Sequence, residues 1–364
     1  MPISGVDAIN PAFRHALQQL TKPFRFPQWV RLAFVGFLAG ELSSGGCNFH
    51  FSAPAPHNER GSQHLLGSAW PPHFPPYFPH DPALLTALII FGIVMGIAFI
   101  VFWTYINSVM RFVLFDSVLA RDCRVREGWR RRKPEGFRLF VWQLWLMLIT
   151  LAASVVLIGI PAAIAFGLGW IAHPREHLLP LVLTGIVVFL LVSLSILALL
   201  LVHVMTKDFV VPQMAFEGIA AMEGWRRLWL CLKAEKGGYA GYIGMKIVLA
   251  MAFGIGLGII TIIASLILLI PLGGLAAIAF FAAKSAGLTW NVYTIAFAVV
   301  VGCVYLAIFF FVISLISVPA VVFFPAYSIY FFASRYSYLA AALSPPAPVP
   351  EWPSSPPPFA PPTG

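Results

Sequence analysis

Five long runs of predominantly apolar residues constrain this chain more than any other feature of its sequence. They lie at 84–110, 138–172, 178–204, 239–272 and 290–318. A membrane-spanning helix needs about 20 such residues, so each run is long enough to cross a bilayer. With 60% hydrophobic and only 10% charged residues, the chain is too apolar for the ordinary soluble, disordered and nucleic-acid-binding classes. The sequence therefore predicts an all-α integral membrane protein that binds membrane lipids and no nucleic acid.

Positive charge is unevenly shared between the segments that flank these runs. Segments 1–31, 111–138 and 205–246 carry net charges of +3, +5 and +2, whereas segment 41–83 carries −2. An excess of Arg and Lys marks the cytoplasmic side of a membrane protein. The pattern predicts both termini in the cytoplasm, provided that residues 28–46 form a sixth span. The apolar part of that segment is short, so a tilted or interfacial helix is the alternative.

An identical pentapeptide occurs twice, as Glu127–Arg131 and, 96 residues later, as Glu223–Arg227. A hairpin of two apolar runs follows each copy, and a fainter third member lies at Phe13–Trp29. Self-similarity of this kind is typical of repeat architectures. We therefore predict about six transmembrane helices as three tandem hairpin repeats, each introduced by a short cytoplasmic amphipathic segment. The repeats fall in a single membrane domain, residues 1–340, at approximately 10–110, 111–206 and 207–340.

The repeated segments combine tryptophan with adjacent arginines. Tryptophan is favoured at headgroup depth, and arginine contacts lipid phosphates while its stem lies along apolar surface. We predict that these segments lie in the membrane interface; the alternative is that they are flanking sequence that only sets topology. The candidate lipid headgroup contacts are Trp129, Arg130, Arg131, Trp225, Arg226 and Arg227.

Ionisable side chains are scarce within the apolar runs, where they are costly and usually functional. No Asp or Glu lies well inside any run, and His203 and Lys246 lie near run ends, from which Lys246 is expected to snorkel to the interface. Gln143 and the hydroxyl groups are expected to bridge neighbouring helices. This composition disfavours a proton-coupled or sodium-coupled carrier.

Small residues recur at close helical spacing in two of the runs. They are Gly92 and Gly96 in the first run and Gly254, Gly256 and Gly258 in the fourth. Such faces let helix backbones approach closely. We expect them to pack within this chain, and a homo-oligomer is the alternative.

Two segments place histidines in positions that suggest metal binding. The outer loop, residues 41–83, holds five histidines and Cys47, but its eight prolines favour a flexible surface loop. His173–His177 matches the H-x-x-E-H pattern of a zinc peptidase class, but it falls in a tight turn between two runs. We therefore predict no metal, no other cofactor and no catalytic site.

The C-terminal segment, residues 341–364, contains ten prolines. This composition is typical of a disordered polyproline II linker. Proline-rich segments dock into aromatic-lined grooves, so the tail is a candidate site for a protein partner.

Two short segments resemble a known family. They are Lys22-Pro23-Phe24-Arg25-Phe26, which leads into Trp29 and Leu32, and Lys207-Asp208-Phe209-Val210-Val211-Pro212, which precedes a Gly-Trp-Arg segment. With the tandem hairpins, they resemble the membrane domain found on some bacterial glycerophosphodiester phosphodiesterases and its stand-alone uncharacterised multi-pass membrane relatives. The resemblance implies the bacterial inner (cytoplasmic) membrane. It also implies the membrane part without the enzyme, because the metal-binding motifs of the soluble catalytic barrel are absent from this sequence.

These observations lead us to expect a non-enzymatic inner-membrane protein that acts as a scaffold or membrane module in envelope or lipid-related processes. The alternative is a lipid or amphiphile permease. Pro161 and Pro271 lie late in two unusually long apolar runs, where proline kinks a helix; kinked helices are one way to frame a cavity, but kinks alone do not show one.

Overall fold

The computed structural model describes residues 3–22, 24–41, 82–170, 176–285 and 292–343. Within these ranges every regular element is a helix, as the sequence predicts. Most of the outer loop, the first part of the H-x-x-E-H segment and residues 344–364 lie outside the described ranges, and so do the predictions that concern them.

The described chain forms ten α-helices and one π-helix. In chain order they are α1 (Ile9–Thr21), α2 (Phe26–Leu38), α3 (Pro82–Leu119), α4 (Val125–Gly167), α5 (Leu178–Met205), the π-helix (Thr206–Val210), α6 (Val211–Glu217), α7 (Ala221–Ala234), α8 (Lys236–Ser285), α9 (Val292–Ala333) and α10 (Ser337–Leu343). Residues 341–343, the start of the predicted tail, are therefore the last residues of α10.

Five of these helical stretches are long and apolar enough to cross a membrane. Their candidate spans are Ala83–Leu119, Val125–Gly167, Leu178–Glu217, Lys236–Pro271 and Ile295–Ala333. Each span contains most of one apolar run of the sequence. The five predicted runs and the multi-pass membrane class are therefore confirmed.

The sixth span predicted at residues 28–46 is not confirmed. Helix α2 has 13 residues, so at 1.5 Å per residue it is about 20 Å long, short of the roughly 30 Å hydrocarbon core. The left-handed Gly40 (φ 73°) follows its end, as is common after a helix C-terminus. The Leu38 carbonyl accepts a hydrogen bond from Asn107 of α3 (3.1 Å). Helix α2 thus enters the bundle and stops beside α3.

The described N-terminal and C-terminal segments meet at one end of the bundle. The Ile3 amide donates a hydrogen bond to Ser334 Oγ (3.2 Å), and Arg335 Nη1 donates to the Ile3 carbonyl (3.1 Å). The basic segments that flank the spans lie at this same end. That this end faces the cytoplasm stays a prediction from the charge pattern.

Burial is concentrated at the end where the termini meet. The most apolar windows of the first three candidate spans are 0% buried, because lipid tails are as apolar as these side chains and helix association in lipid gains little from hydrophobic burial. The largest fully buried aromatic side chains are Phe112, Phe209, Tyr239, Tyr242, Phe323, Phe324, Tyr327 and Phe331. They define the packed end, from which long apolar helix segments project.

Polar side chains in the spans are mostly satisfied within their own helix. The hydroxyl groups of Thr150, Ser154, Ser195, Ser265 and Ser314 each donate to the carbonyl four residues earlier, at 2.6–2.9 Å. The expectation that they bridge neighbouring helices is therefore wrong, because this local bond already satisfies a hydroxyl in lipid. Gln143 does bridge, since Ser108 Oγ of α3 donates to its Oε1 (2.7 Å).

The glycines of the two small-residue faces do not pack within the described chain. A Cβ atom added at Gly92, Gly96, Gly256 or Gly258 would meet no atom within 4 Å. The expected packing within the chain is therefore wrong for these four positions as far as the described residues are concerned. A homo-oligomer through these faces stays a prediction.

The two identical pentapeptides lie in different settings. The first copy forms the opening turns of α4, which continues into its span without a break, whereas the second lies in the separate short helix α7. Both copies place their glycine on a valine: a Cβ on Gly128 would lie 3.2 Å from Val113, and one on Gly224 would lie 2.8 Å from Val210. The two pentapeptides therefore share a glycine–valine contact, but the predicted arrangement of three equivalent hairpins is not confirmed.

Helix α1 is held against the ends of α3 and α9 by a buried histidine. His15 Nε2 donates a hydrogen bond to the Val118 carbonyl (2.8 Å), and Nδ1 lies 3.3 Å from the Tyr330 hydroxyl. Because a carbonyl only accepts, Nε2 carries the proton and Nδ1 accepts. Burial lowers the pKa of His15 below 6.5; the Val118 carbonyl opposes this shift, and Arg121 adds to it.

The lowered pKa of His15 predicts a loss of stability in mild acid. As the pH falls, the unfolded chain takes up a proton on this histidine before the folded protein does. The contribution of His15 to stability is therefore fully present above its pKa in the unfolded chain, about 6.5. It decreases as the pH falls below that value, until the pH reaches the lower pKa of His15 in the folded protein. We expect the thermal unfolding midpoint to fall more between about pH 7.5 and 5 in the wild type than in H15Q. Parallel pH profiles of the two proteins would contradict this prediction.

Candidate functional site

The first turns of α4 pack against the last turns of α3. Trp129 packs edge-to-face on Tyr105 (ring centroids 6.1 Å apart), and Arg132 donates two hydrogen bonds of 2.7 Å to Asp116. Helix α4 continues from these turns into its candidate span without a break, so the interfacial orientation of its start stays a prediction.

Both predicted tryptophan contacts are half-buried against the protein. Trp225 Nε1 donates a hydrogen bond to Thr206 Oγ1 (3.0 Å), and Trp129 packs against Tyr105 and the hydrophobic core. Trp129 thus ties α4 to α3, and Trp225 ties α7 to the π-helix. The half-exposed side of each ring stays a predicted lipid contact.

The arginines of the first pentapeptide face solvent. Arg130 and Arg131 are exposed and form a shallow surface groove with Arg126 and Glu127. The Glu127 carboxylate lies 3.5 Å from Arg124 and contacts neither pentapeptide arginine. Within the described residues, Arg126, Arg130 and Arg131 form no ion pair, so their positive charge is uncompensated.

The arginines of the second pentapeptide are already paired. Arg226 contacts Glu223 (3.0 Å), and Arg227 contacts both Glu223 (3.2 Å) and Glu217 (2.5 Å). Tyr336 also donates a hydrogen bond to Glu217 (2.7 Å). These carboxylates compete with lipid phosphates for Arg226 and Arg227, so the two copies are not equivalent as candidate headgroup sites.

A second candidate site is a buried charge cluster at the junction of the packed end with the spans. It consists of Glu41, Arg111, His203, Lys207, Asp208 and Lys246. Lys207 pairs with Glu41, and Lys246 pairs with Asp208. The Asp208 carboxylate also accepts a hydrogen bond from the Tyr242 hydroxyl (2.9 Å). Glu41, Arg111 and Asp208 are only 2%, 5% and 1% exposed.

The π-helix brings two adjacent cluster residues to different partners. Lys207 reaches Glu41, beyond the end of α2, while the next residue, Asp208, reaches Tyr242 and Lys246 of α8. A π turn contains one more residue than the corresponding α turn, and such bulges occur frequently at functional sites. The local backbone therefore allows one short segment to bind α8 and the segment after α2 at once.

The cluster corrects the prediction for the ends of the apolar runs. Lys246 does not snorkel to the interface, because Asp208 binds its ammonium group inside the protein. Sequence reasoning missed Asp208 as a buried acid and Arg111 as a buried base. The available signal was position: Arg111 directly follows one apolar run, Lys207 and Asp208 follow another, and Lys246 lies within a third.

Helix lengths predict that the cluster lies at the level of headgroups. At 1.5 Å per residue, the rise is about 42 Å from Ala83 to Arg111 and about 43 Å from Leu178 to Lys207. A bilayer has about 30 Å of hydrocarbon and about 40–45 Å including headgroups. With the far helix ends at one face of the membrane, we therefore expect the cations of the cluster to lie near the phosphates of the opposite leaflet.

Comparisons with curated proteins and with solved structures find no match to this chain. A family described as a family of unknown function, DUF7544, matches residues 3–342. The match extends from the residues before α1 into α10, and it includes both the start of α4 and the buried charge cluster. The chain therefore belongs to the DUF7544 family of unknown function.

Proposed function

We propose that this protein is a non-enzymatic, multi-pass module of the bacterial inner membrane that binds anionic lipid headgroups at its packed end. In this proposal it serves as a scaffold in envelope or lipid-related processes. The observation that carries the proposal is the exposed start of α4, where Arg126, Arg130 and Arg131 have no ion-pair partner among the described residues. Guanidinium groups bind phosphate oxygens through short, charge-assisted hydrogen bonds.

Lipid composition around the purified protein tests this proposal. We expect native-lipid nanodiscs of the wild type to be enriched in anionic phospholipid, and those of R126Q/R130Q/R131Q to lose most of that enrichment. Each basic residue near an anionic surface contributes about 1 kcal/mol, so three of them change relative lipid affinity by more than tenfold. Lipid mass spectrometry provides the measurement.

A matched control comes from the second pentapeptide. The R226Q/R227Q variant removes arginines from the same motif, but these two are neutralised by Glu223 and Glu217. It should keep the wild-type lipid profile. Equal loss of anionic lipid in both variants would contradict the assignment to α4 and indicate a general charge effect.

The scaffold role predicts a protein partner. The proline-rich segment that follows α10 supplies a sequence able to dock into an aromatic-lined groove. We expect a stoichiometric partner to copurify with the full chain and to be lost when residues 344–364 are removed.

Substrate turnover by the purified chain alone would overturn the non-enzymatic part of the proposal. The resemblance to the phosphodiesterase-associated membrane domain remains a separate prediction.

A lipid or amphiphile permease is the second candidate function, and the buried charge cluster favours it. Ionisable residues within membrane-crossing helices commonly mark substrate paths. Reconstituted vesicles with labelled phospholipid or glycerophosphodiester would test this alternative. Transbilayer movement no faster than in protein-free vesicles would count against it.

A further inference from the structure

Arg111 is buried with most of its hydrogen-bonding capacity unused. Its side chain is 5% exposed. Nη2 donates to Asn107 Oδ1 (3.1 Å) and lies 3.5 Å from His203 Nε2. The buried atoms Nε and Nη1 have no hydrogen-bond partner within the described residues. An unsatisfied buried donor costs about 1–3 kcal/mol, and more when it is charged, so these atoms require an acceptor.

A second buried arginine shows how this protein satisfies a structural guanidinium. Arg132 is 8% exposed. Its Nε and Nη2 donate to the two carboxylate oxygens of Asp116 (2.7 Å each), and its Nη1 donates to the Ala215 carbonyl (2.7 Å). Every nitrogen of Arg132 thus has an acceptor in the protein. Arg111 departs from this arrangement at two of its three nitrogens.

The charge balance of the cluster also leaves a place for an anion. Arg111, Lys207 and Lys246 provide three positive charges, and Glu41 and Asp208 provide two negative charges. His203 Nε2 faces the Arg111 guanidinium, which only donates, so this nitrogen accepts and carries no proton. The described cluster therefore holds one surplus positive charge, and a buried charge is stable only when it is paired.

We propose that Arg111 binds a phosphate group that carries one negative charge, supplied by the phosphodiester headgroup of a phospholipid. A phosphodiester matches the surplus charge and offers acceptor oxygens for Nε and Nη1. Phospholipid is the source favoured by depth, because the length of α3 predicts that Arg111 lies at the headgroup level of the bilayer. This site is separate from the α4 arginines, and it does not depend on the function proposed for them.

Bound phosphorus in a phosphate-free detergent tests the proposal. We expect the purified wild type to retain phospholipid in a stoichiometric amount after extensive washing. The R111K variant keeps the charge but loses the planar guanidinium donors, so its retained phospholipid should fall about tenfold, which corresponds to 1.4 kcal/mol. The R226Q/R227Q variant, whose arginines are already paired with Glu223 and Glu217, should retain the wild-type amount. Wild-type retention by a folded R111K variant would overturn the proposal.

A measurement on the wild type keeps the proposal testable if R111K fails to fold. Delipidated wild-type protein is titrated with phospholipid, with diacylglycerol of the same acyl chains, and with inorganic phosphate. We expect phospholipid to raise the thermal unfolding midpoint and diacylglycerol to leave it unchanged, because only the former carries the phosphate. Stabilisation by inorganic phosphate that phospholipid does not exceed would support the anion site but assign it to a soluble phosphate. Equal stabilisation by diacylglycerol and phospholipid would overturn the proposal.

Discussion

The D208N variant should unfold with a free energy about 3–5 kcal/mol lower than that of the wild type. Removing one partner of a buried ion pair leaves the other charge uncompensated in a medium of low polarity. The Asp208 carboxylate is 1% exposed, pairs with Lys246 and accepts a hydrogen bond from Tyr242 (2.9 Å). Asparagine keeps the size of the side chain and removes its charge. Denaturant titration in mixed micelles, followed by tryptophan fluorescence, measures the change.

Two control variants separate the buried pair from general effects of charge. Asp122 pairs with Arg124 at 2.9 Å, but their side chains are 49% and 69% exposed, so D122N should change stability by less than about 1 kcal/mol. The double variant D208L/K246M removes both charges of the buried pair, and well-packed apolar replacements of this kind are often neutral. It should recover most of the stability that D208N loses. Equal effects of D208N and D122N would show that Asp208 is not the buried counter-charge.

The membrane class and the five spans were predictable because they depend on local composition. A run of about 20 apolar residues forms all of its backbone hydrogen bonds within its own helix in lipid, whatever its neighbours are. The early end of helix α2, which leaves it too short to be the predicted sixth span, was not predictable from local composition. Helix α2 ends where Gly40 adopts a left-handed conformation and Asn107 of α3 binds the Leu38 carbonyl, and contacts between distant segments leave no periodic signal in the sequence.

The difference between the two pentapeptides could not be predicted from the motif itself, because the five residues are identical. Glu217 lies outside the second copy and pairs with Arg227. In the first copy, Glu127 lies beside Arg124, which precedes the motif. Flanking carboxylates and bases therefore decide whether the arginines remain available to lipid, and their reach depends on how α6, α7 and the start of α4 are placed.

The buried charge cluster was partly visible in the sequence and was misjudged for a physical reason. A cation near the end of an apolar run is ordinarily solvated by snorkelling. Lys246 is instead paired inside the protein, because the π-helix directs Asp208 toward its ammonium group. A π bulge has no reliable sequence signature. The same segment carries Lys207 to Glu41. The pairing therefore depends on backbone geometry that composition does not report.

A single methyl group at Gly136 should have a large effect for a residue this small. Its Cβ would lie 2.5 Å from Val109 Cγ2 and 2.9 Å from Val109 Cα, so backbone as well as side chain must move. We expect G136A to lower the free energy of unfolding by about 1–3 kcal/mol, the usual cost of overpacking a core. The same mixed-micelle titration measures it.

The matched control for this prediction is G92A, in the same pair of packed helices but in open surroundings. A Cβ at Gly92 meets nothing within 4 Å, and alanine favours a helix over glycine by about 1 kcal/mol. G92A should therefore leave the free energy of unfolding unchanged or raise it, so only G136A should lower it. Because Gly136 sets the distance between α3 and the first turns of α4, G136A should also reduce the anionic-lipid enrichment attributed to Arg130 and Arg131. Normal stability in G136A would show that α4 does not lie this close to α3.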